Sequence, residues 1–122
     1  MRQNILVIDD DKKNIFALCA VLRSRGFECI GVQSAKEGID HLLINKDIGM
    51  VLMDIMMPDM DGFEAINEIK KLQELSSIPI VTITAQAMPG DREKCIAAGA
   101  NDYLSKPVNI DQLMALIRHY LG

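Results

Sequence analysis

Ile48-Gly49-Met50-Val51-Leu52-Met53-Asp54 is an apolar run closed by a single carboxylate. An apolar strand that ends in one polar residue is where an α/β protein places its chemistry, because ligands of an open parallel sheet bind outside the carboxyl ends of the strands. Two other stretches close the same way. Ile5-Leu6-Val7-Ile8 runs into Asp9-Asp10-Asp11, and Ile80-Val81-Thr82-Ile83 runs into Thr84. The polar residues at these three ends are therefore expected to converge on one site.

Working outward, the pattern alternates strand and helix. Residues 4–8 read as a buried strand and about 13–25 as a helix with Ile15, Phe16, Leu18, Cys19 and Leu22 at helical spacing, stopped by Gly26. Residues 28–32 form a second strand. Ser34 caps a helix over about 35–44, with Glu37 placed for a capping box. The third strand spans 50–53, the loop 56–61 follows, and a helix over about 62–74 shows Phe63, Ile66, Ile69 and Leu72 on one face. Pro79 introduces a fourth strand through Ile83, and a helix over about 90–98 ends at Gly99. Tyr103-Leu104 makes a short fifth strand, and residues 111–120 a last helix with Leu113, Met114, Leu116 and Ile117 inward. Repeated βα units with right-handed crossovers give an α/β, doubly wound parallel sheet with helices on both faces.

The 122 residues suffice for about one domain, residues 1–122, with one modest core. A hydrophobic content of 49% and a charged content of 25% fit a globular chain. The net charge of −4 argues against direct nucleic-acid binding, which needs clustered Lys and Arg. No apolar stretch is long enough to span a bilayer and no signal region opens the chain, which points to a cytoplasmic protein without membrane contact. Cys19, Cys29 and Cys95 are odd in number, widely spaced and without a C-x-x-C pair, the pattern of reduced, buried thiols. The methionines crowded over 50–60 read as adaptable packing.

Carboxylates gathered at strand ends repel, at about 3 kcal/mol per pair for a 5 Å separation and an effective dielectric near 20. A cation must offset that repulsion, and an all-oxygen site suits Mg²⁺. Lys106, after the fifth strand, supplies a second positive charge, and Thr84 a hydroxyl. Carboxylates, a divalent cation, a lysine and a hydroxyl around Asp54 describe a phosphoryl-acceptor site with Asp54 as nucleophile. Any one of these residues alone is a capping carboxylate, a surface lysine or a loop hydroxyl. Their joint occurrence at three strand ends carries the functional reading.

These stretches resemble the receiver domains of two-component response regulators. The matching segments are the 5–11 strand and its aspartates, Val51 through Gly62 with Asp54 inside, Ile83-Thr84-Ala85, Ala98-Gly99-Ala100, and Asp102 through Pro107. They cover essentially the whole chain. The resemblance implies a flavodoxin-like, three-layer α/β/α fold with five parallel strands in the order 2-1-3-4-5. It implies Asp54 as phosphoacceptor, with Mg²⁺ (or Mn²⁺) held by Asp10, Asp54 and the Met56 main-chain carbonyl, and with Asp9 acting through a metal-bound water. Lys106 would pair with the phosphoryl group, Thr84 would hydrogen-bond it, and the Met56 and Ala85 main chains would bind it. Tyr103 would bury itself as Thr84 moves, completing a two-state switch. A cis peptide is expected before Pro107, and Asp11 is expected to be a bystander. Met56 and Gln86 would tune the phosphoryl lifetime, and apolar Met56, unable to orient a water, would slow self-dephosphorylation.

The same resemblance implies a signalling protein rather than a dedicated enzyme. Its donor would be the phosphohistidine of a sensor or hybrid histidine kinase or of a histidine phosphotransfer domain. Homodimerisation would use the 90–98 helix, the fifth strand and the last helix. His41 and His119 are expected to be surface or packing residues. Two rivals remain: an aspartyl-nucleophile phosphatase, suggested by Asp59-Met60-Asp61-Gly62, and a degenerate receiver that serves only for docking. The first places its apolar strand before the wrong aspartate, and the second requires a missing acceptor, metal carboxylate or lysine.

Overall fold

The computed structural model describes residues 3–55, 62–84 and 89–121. Five strands, β1 (Asn4–Ile8), β2 (Cys29–Val32), β3 (Ile48–Asp54), β4 (Ile80–Thr84) and β5 (Asp102–Ser105), alternate with α1 (Lys12–Ser24), α2 (Ala35–Ile44), α3 (Gly62–Lys71), α4 (Asp91–Ala98) and α5 (Ile110–Leu121). The strands are all parallel and lie in the order β2-β1-β3-β4-β5. This is the flavodoxin-like doubly wound order, with its switch point between β1 and β3. Register pairs Ile8 with Met53 and Asp54 with Ile83, so the ends of the three central strands lie side by side.

The pleat sends alternate strand residues to opposite layers. Leu6, Ile8, Val51 and Met53 join Leu42 of α2, Ile66 and Ile69 of α3 and Cys95 of α4 in one cluster. Ile5, Val7, Met50 and Leu52 join Cys19 and Leu22 of α1 and Leu113, Met114 and Ile117 of α5 in the other. Every residue of β3 is buried, which is why its sequence shows no polar alternation. Each fully buried aliphatic side chain contributes roughly 1.5–3 kcal/mol. The exposed Lys46–Glu74 pair, 3.4 Å apart, contributes about 0–1 kcal/mol, so these two clusters and not surface charge hold the fold.

Several boundaries differ from the sequence reading. β3 begins at Ile48 and includes Asp54, and α3 stops at Lys71 rather than near 74. A 3₁₀ turn over Gln73–Leu75 follows, with the Leu75 amide donating to the Leu72 carbonyl at 2.9 Å. The turn carries Leu75 into the core and leaves Leu72 partly exposed. Phe16, counted with the apolar face of α1, is 78% exposed. It is offset by a single residue from Ile15, so it points a quarter-turn away from the buried stripe.

The expectation of three reduced thiols is corrected. Cys19 and Cys29 are joined in a disulfide, while Cys95 is free and buried. Wide spacing in sequence says little here, because the topology lays α1 against the edge strand β2. Gly31 of β2 permits that close approach: a Cβ there would collide with the Ile15 side chain. Among the described residues no helix is long and apolar enough to cross a membrane.

Candidate functional site

The three aspartates after β1 have three different jobs. Asp9 is buried, its amide donates to the Val32 carbonyl at 3.1 Å, and its Oδ1 accepts from the Asp11 amide at 2.9 Å. Asp11 is the N-cap of α1, its carboxylate accepting from the Lys13 amide at 2.9 Å. Asp10, exposed between them, keeps its carboxylate available at the rim. Asp54, the last residue of β3, is 7% exposed.

Oxygens of Asp9, Asp10 and Asp54 lie within 4.8 Å of one another. Lys106 reaches into this group after β5. Its amide donates to the Thr84 carbonyl at 2.7 Å, and its peptide bond to Pro107 is cis, as the resemblance implies. Its Nζ stands 3.3 Å from Asp54 Oδ2, to which it donates, and 3.5 Å from Asp9 Oδ2. Burial pushes the Lys106 ammonium toward deprotonation, but the facing charges of Asp54 and Asp9 more than offset it and its pKa is raised. Three carboxylates against one ammonium leave a formal charge of −2. A hard divalent cation bound by oxygen fits both that charge and that donor set.

Thr84 closes β4, buried and paired in register with Ser105. Tyr103 of β5 is half-buried and packs on the α2–α3–α4 side of the sheet. Burial raises its pKa, and the charges of Asp91 and Cys95 on α4 raise it further. Thr82, one strand over, hydrogen-bonds Cys95 of α4. The structure thus brings Asp9, Asp10, Asp54 and Lys106 together, with Thr84 and Tyr103 on the neighbouring strands. Met56, Ala85 and Gln86, expected to bind the phosphoryl group or tune its lifetime, lie outside the described residues, as do Asp59 and Asp61. His41 and His119 are exposed on α2 and α5, away from the cluster.

One feature escaped the sequence reading. A groove of about 490 Å³ starts at Asp9 and Lys106 and runs between α1 and the start of α5, past Asn14, Leu18, Pro107 and Ile110. Its signal in the sequence is slight: Ala17 and Val21 add apolar area to α1 beyond what the core stripe requires.

A family model described as the response regulator receiver domain matches residues 5–118. The polar-differentiation response regulator DivK of Brucella ovis is 31% identical over 122 residues, covering 100% of this chain and 98% of that protein. A response regulator receiver protein from Pseudomonas putida superposes with a TM-score of 0.90 at 28% identity, over 98% of both chains. A chain in the co-crystal of the Saccharomyces cerevisiae histidine phosphotransfer protein Ypd1 with the receiver domain of Ssk1 matches with a TM-score of 0.88 at 25% identity. That match covers 98% of this chain and 88% of the other.

Proposed function

The chain belongs to the response regulator receiver family of two-component signalling, and from that premise we propose that Asp54 accepts a phosphoryl group from a phosphohistidine. The observation that carries the reading is the Lys106 ammonium lying between two carboxylates, 3.3 Å from Asp54 and 3.5 Å from Asp9, with Asp10 beside them. In the transfer a carboxylate oxygen of Asp54 bonds to phosphorus as the P–N bond to the donor imidazole breaks, and the imidazole leaves with the bonding pair and takes up a proton. Asp10, Asp54 and the Met56 main-chain carbonyl would hold Mg²⁺ or Mn²⁺, with Asp9 acting through water, and the ion would supply positive charge to the phosphoryl oxygens. Lys106 turns from the Asp54 carboxylate to the transferred group and balances its charge.

Thr84 donates its hydroxyl to the phosphoryl group, and Tyr103 packs inward as Thr84 shifts. The Met56 and Ala85 main chains would bind the phosphoryl group, and Met56 with Gln86 would govern access of attacking water. The protein acts as a signalling acceptor and not as a dedicated enzyme. Its donor is a histidine kinase or a histidine phosphotransfer domain, which approaches along the groove from Lys106 past Leu18. α4, β5 and α5 form the face for self-association, and the protein works in the cytoplasm. Incubation with acetyl phosphate and Mg²⁺ followed by intact mass measurement tests the assignment. One phosphate adduct is expected, absent in Asp54→Ala; an adduct that survives the substitution overturns it.

A further inference from the structure

Cys19 of α1 and Cys29 at the start of β2 are bonded, with Cα atoms 5.4 Å apart. That separation lies inside the span a disulfide bridges without backbone movement. Both residues are 4% exposed, yet Cys19 lines a groove of about 290 Å³ at the α1–β2 edge whose wall includes the exposed Phe16. Lys12 and Arg23 line the same groove, and the Arg23 guanidinium is fixed by donating to the Cys29 carbonyl at 2.9 Å. No carboxylate lines it among the described residues. On a chain of net charge −4, this is a basic recess with Cys19 in its wall.

We propose that this groove admits a small anionic thiol of the glutathione class, and that the Cys19–Cys29 bond is a reversible staple setting how firmly α1 is held on the sheet. The proposal rests on the receiver reading in one respect. A receiver served by cytoplasmic kinases works where thiols are kept reduced, and disulfides there are transient or redox-sensing. Opening consumes two thiols. The first, as thiolate, attacks the Cys19 sulfur, the S–S bond breaks, and Cys29 leaves as a thiolate that takes up a proton. A second thiolate then attacks the small thiol's sulfur in the mixed disulfide, Cys19 leaves as a thiolate that takes up a proton, and the two small thiols end joined as their disulfide, so two electrons pass to the bridge. Oxidised glutathione reverses the sequence.

The consequence falls on donor docking rather than on phosphoryl chemistry. α1 supplies Asn14 and Leu18 to the groove beside Lys106, whereas Asp54 is carried by β3 at the centre of the sheet. The test equilibrates the protein with glutathione at varied reduced-to-oxidised ratios, alkylates it in denaturant and weighs it intact. The bridged chain carries one alkyl group, on Cys95, and the opened chain three. Hydrogen exchange of the Lys12–Ser24 amides is expected to be about tenfold faster in the opened form, with Asp54 labelling by acetyl phosphate unchanged. Cys19→Ser should show the faster exchange at every ratio. Lys12→Glu should slow opening by glutathione more than opening by uncharged mercaptoethanol. A thiol count that never changes with ratio, equal exchange in the two forms, or equal slowing by the two thiols overturns the proposal. Failure of Asp54 to label in either form would instead sink the receiver reading, leaving thiol count and exchange to judge the staple.

Discussion

Two half-buried lysines stand at opposite ends of the sheet, and their surroundings differ in one respect. Lys106, at the carboxyl ends, faces Asp54 and Asp9. Lys70, near the end of α3, lies at the amino ends and is surrounded by neutral oxygens. It donates to the Ile78 carbonyl at 3.0 Å, the Ser76 carbonyl at 3.2 Å and Asn101 Oδ1 at 3.4 Å, which matches its three N–H bonds. Asn101 Oδ1 also accepts from the Ile80 amide at 3.0 Å, and the Asn101 carbonyl from the Tyr120 hydroxyl at 3.0 Å. Neutral acceptors satisfy donors without cancelling charge, so burial lowers the pKa of Lys70, while carboxylates raise that of Lys106. Lys70 is a tie between α3, the β4 entry and the β5 entry. Lys106 is a counter-charge to two carboxylates.

The contrast breaks most readily at the site. Lys106→Met is expected to slow acetyl phosphate labelling of Asp54 by about 10²–10³-fold, the usual loss when one charge-stabilising group is removed. Lys70→Met should leave that time course as it is in the unmodified protein; equal slowing in the two variants would erase the distinction. Stability sharpens it from the other side. Lys70→Met, which deprives three oxygens of a donor, is expected to cost about 2 kcal/mol in urea unfolding monitored by circular dichroism. Tyr120→Phe removes one further bond of the same knot and is expected to cost about 1 kcal/mol in the same measurement.

The smallest effect is alkaline. From the lowered pKa of Lys70 up to 10.5 the unfolded chain binds more protons than the folded one, so this residue makes stability rise with pH in that window. The pKa of Lys106 is raised above 10.5, so the stability it contributes below that value is lost as pH climbs through its folded pKa. Unfolding curves taken from about pH 9 to 11 should therefore steepen in their alkaline decline for Lys70→Met and flatten for Lys106→Met. Shifts of the same sign in both variants would contradict the assignment of opposite environments.

The carboxyl end of the sheet was legible in sequence and the amino end was not, for a physical reason. A site that handles charge needs particular side chains at strand ends, so Asp9, Asp10, Asp54, Thr84 and Lys106 announce themselves by type and position. The Lys70 knot is built from backbone carbonyls, which every residue has. Lys70 and Asn101 read as an ordinary helix-end lysine and a turn asparagine until the fold brings their partners together. The Cys19–Cys29 pair escaped for a related reason. The cysteines lie ten positions apart, and their meeting depends on Gly31 letting α1 settle onto β2, a fact of packing rather than of spacing. Phe16 shows the reverse error: counting apolar residues along α1 overstates its buried face, since a side chain one position off the stripe looks outward.

The unbroken burial of β3 has a further consequence. With neighbours on both edges and a helical layer on each face, its amides are expected to be among the slowest in the molecule to exchange with solvent, although the strand ends at the carboxylate cluster. Asp54 is thus a stationary landmark. A fluorophore or spin label at exposed Phe16 or Ile96, paired with one anchored near that strand, would measure displacement of α1 or α4 directly, with no correction for drift of the reference point.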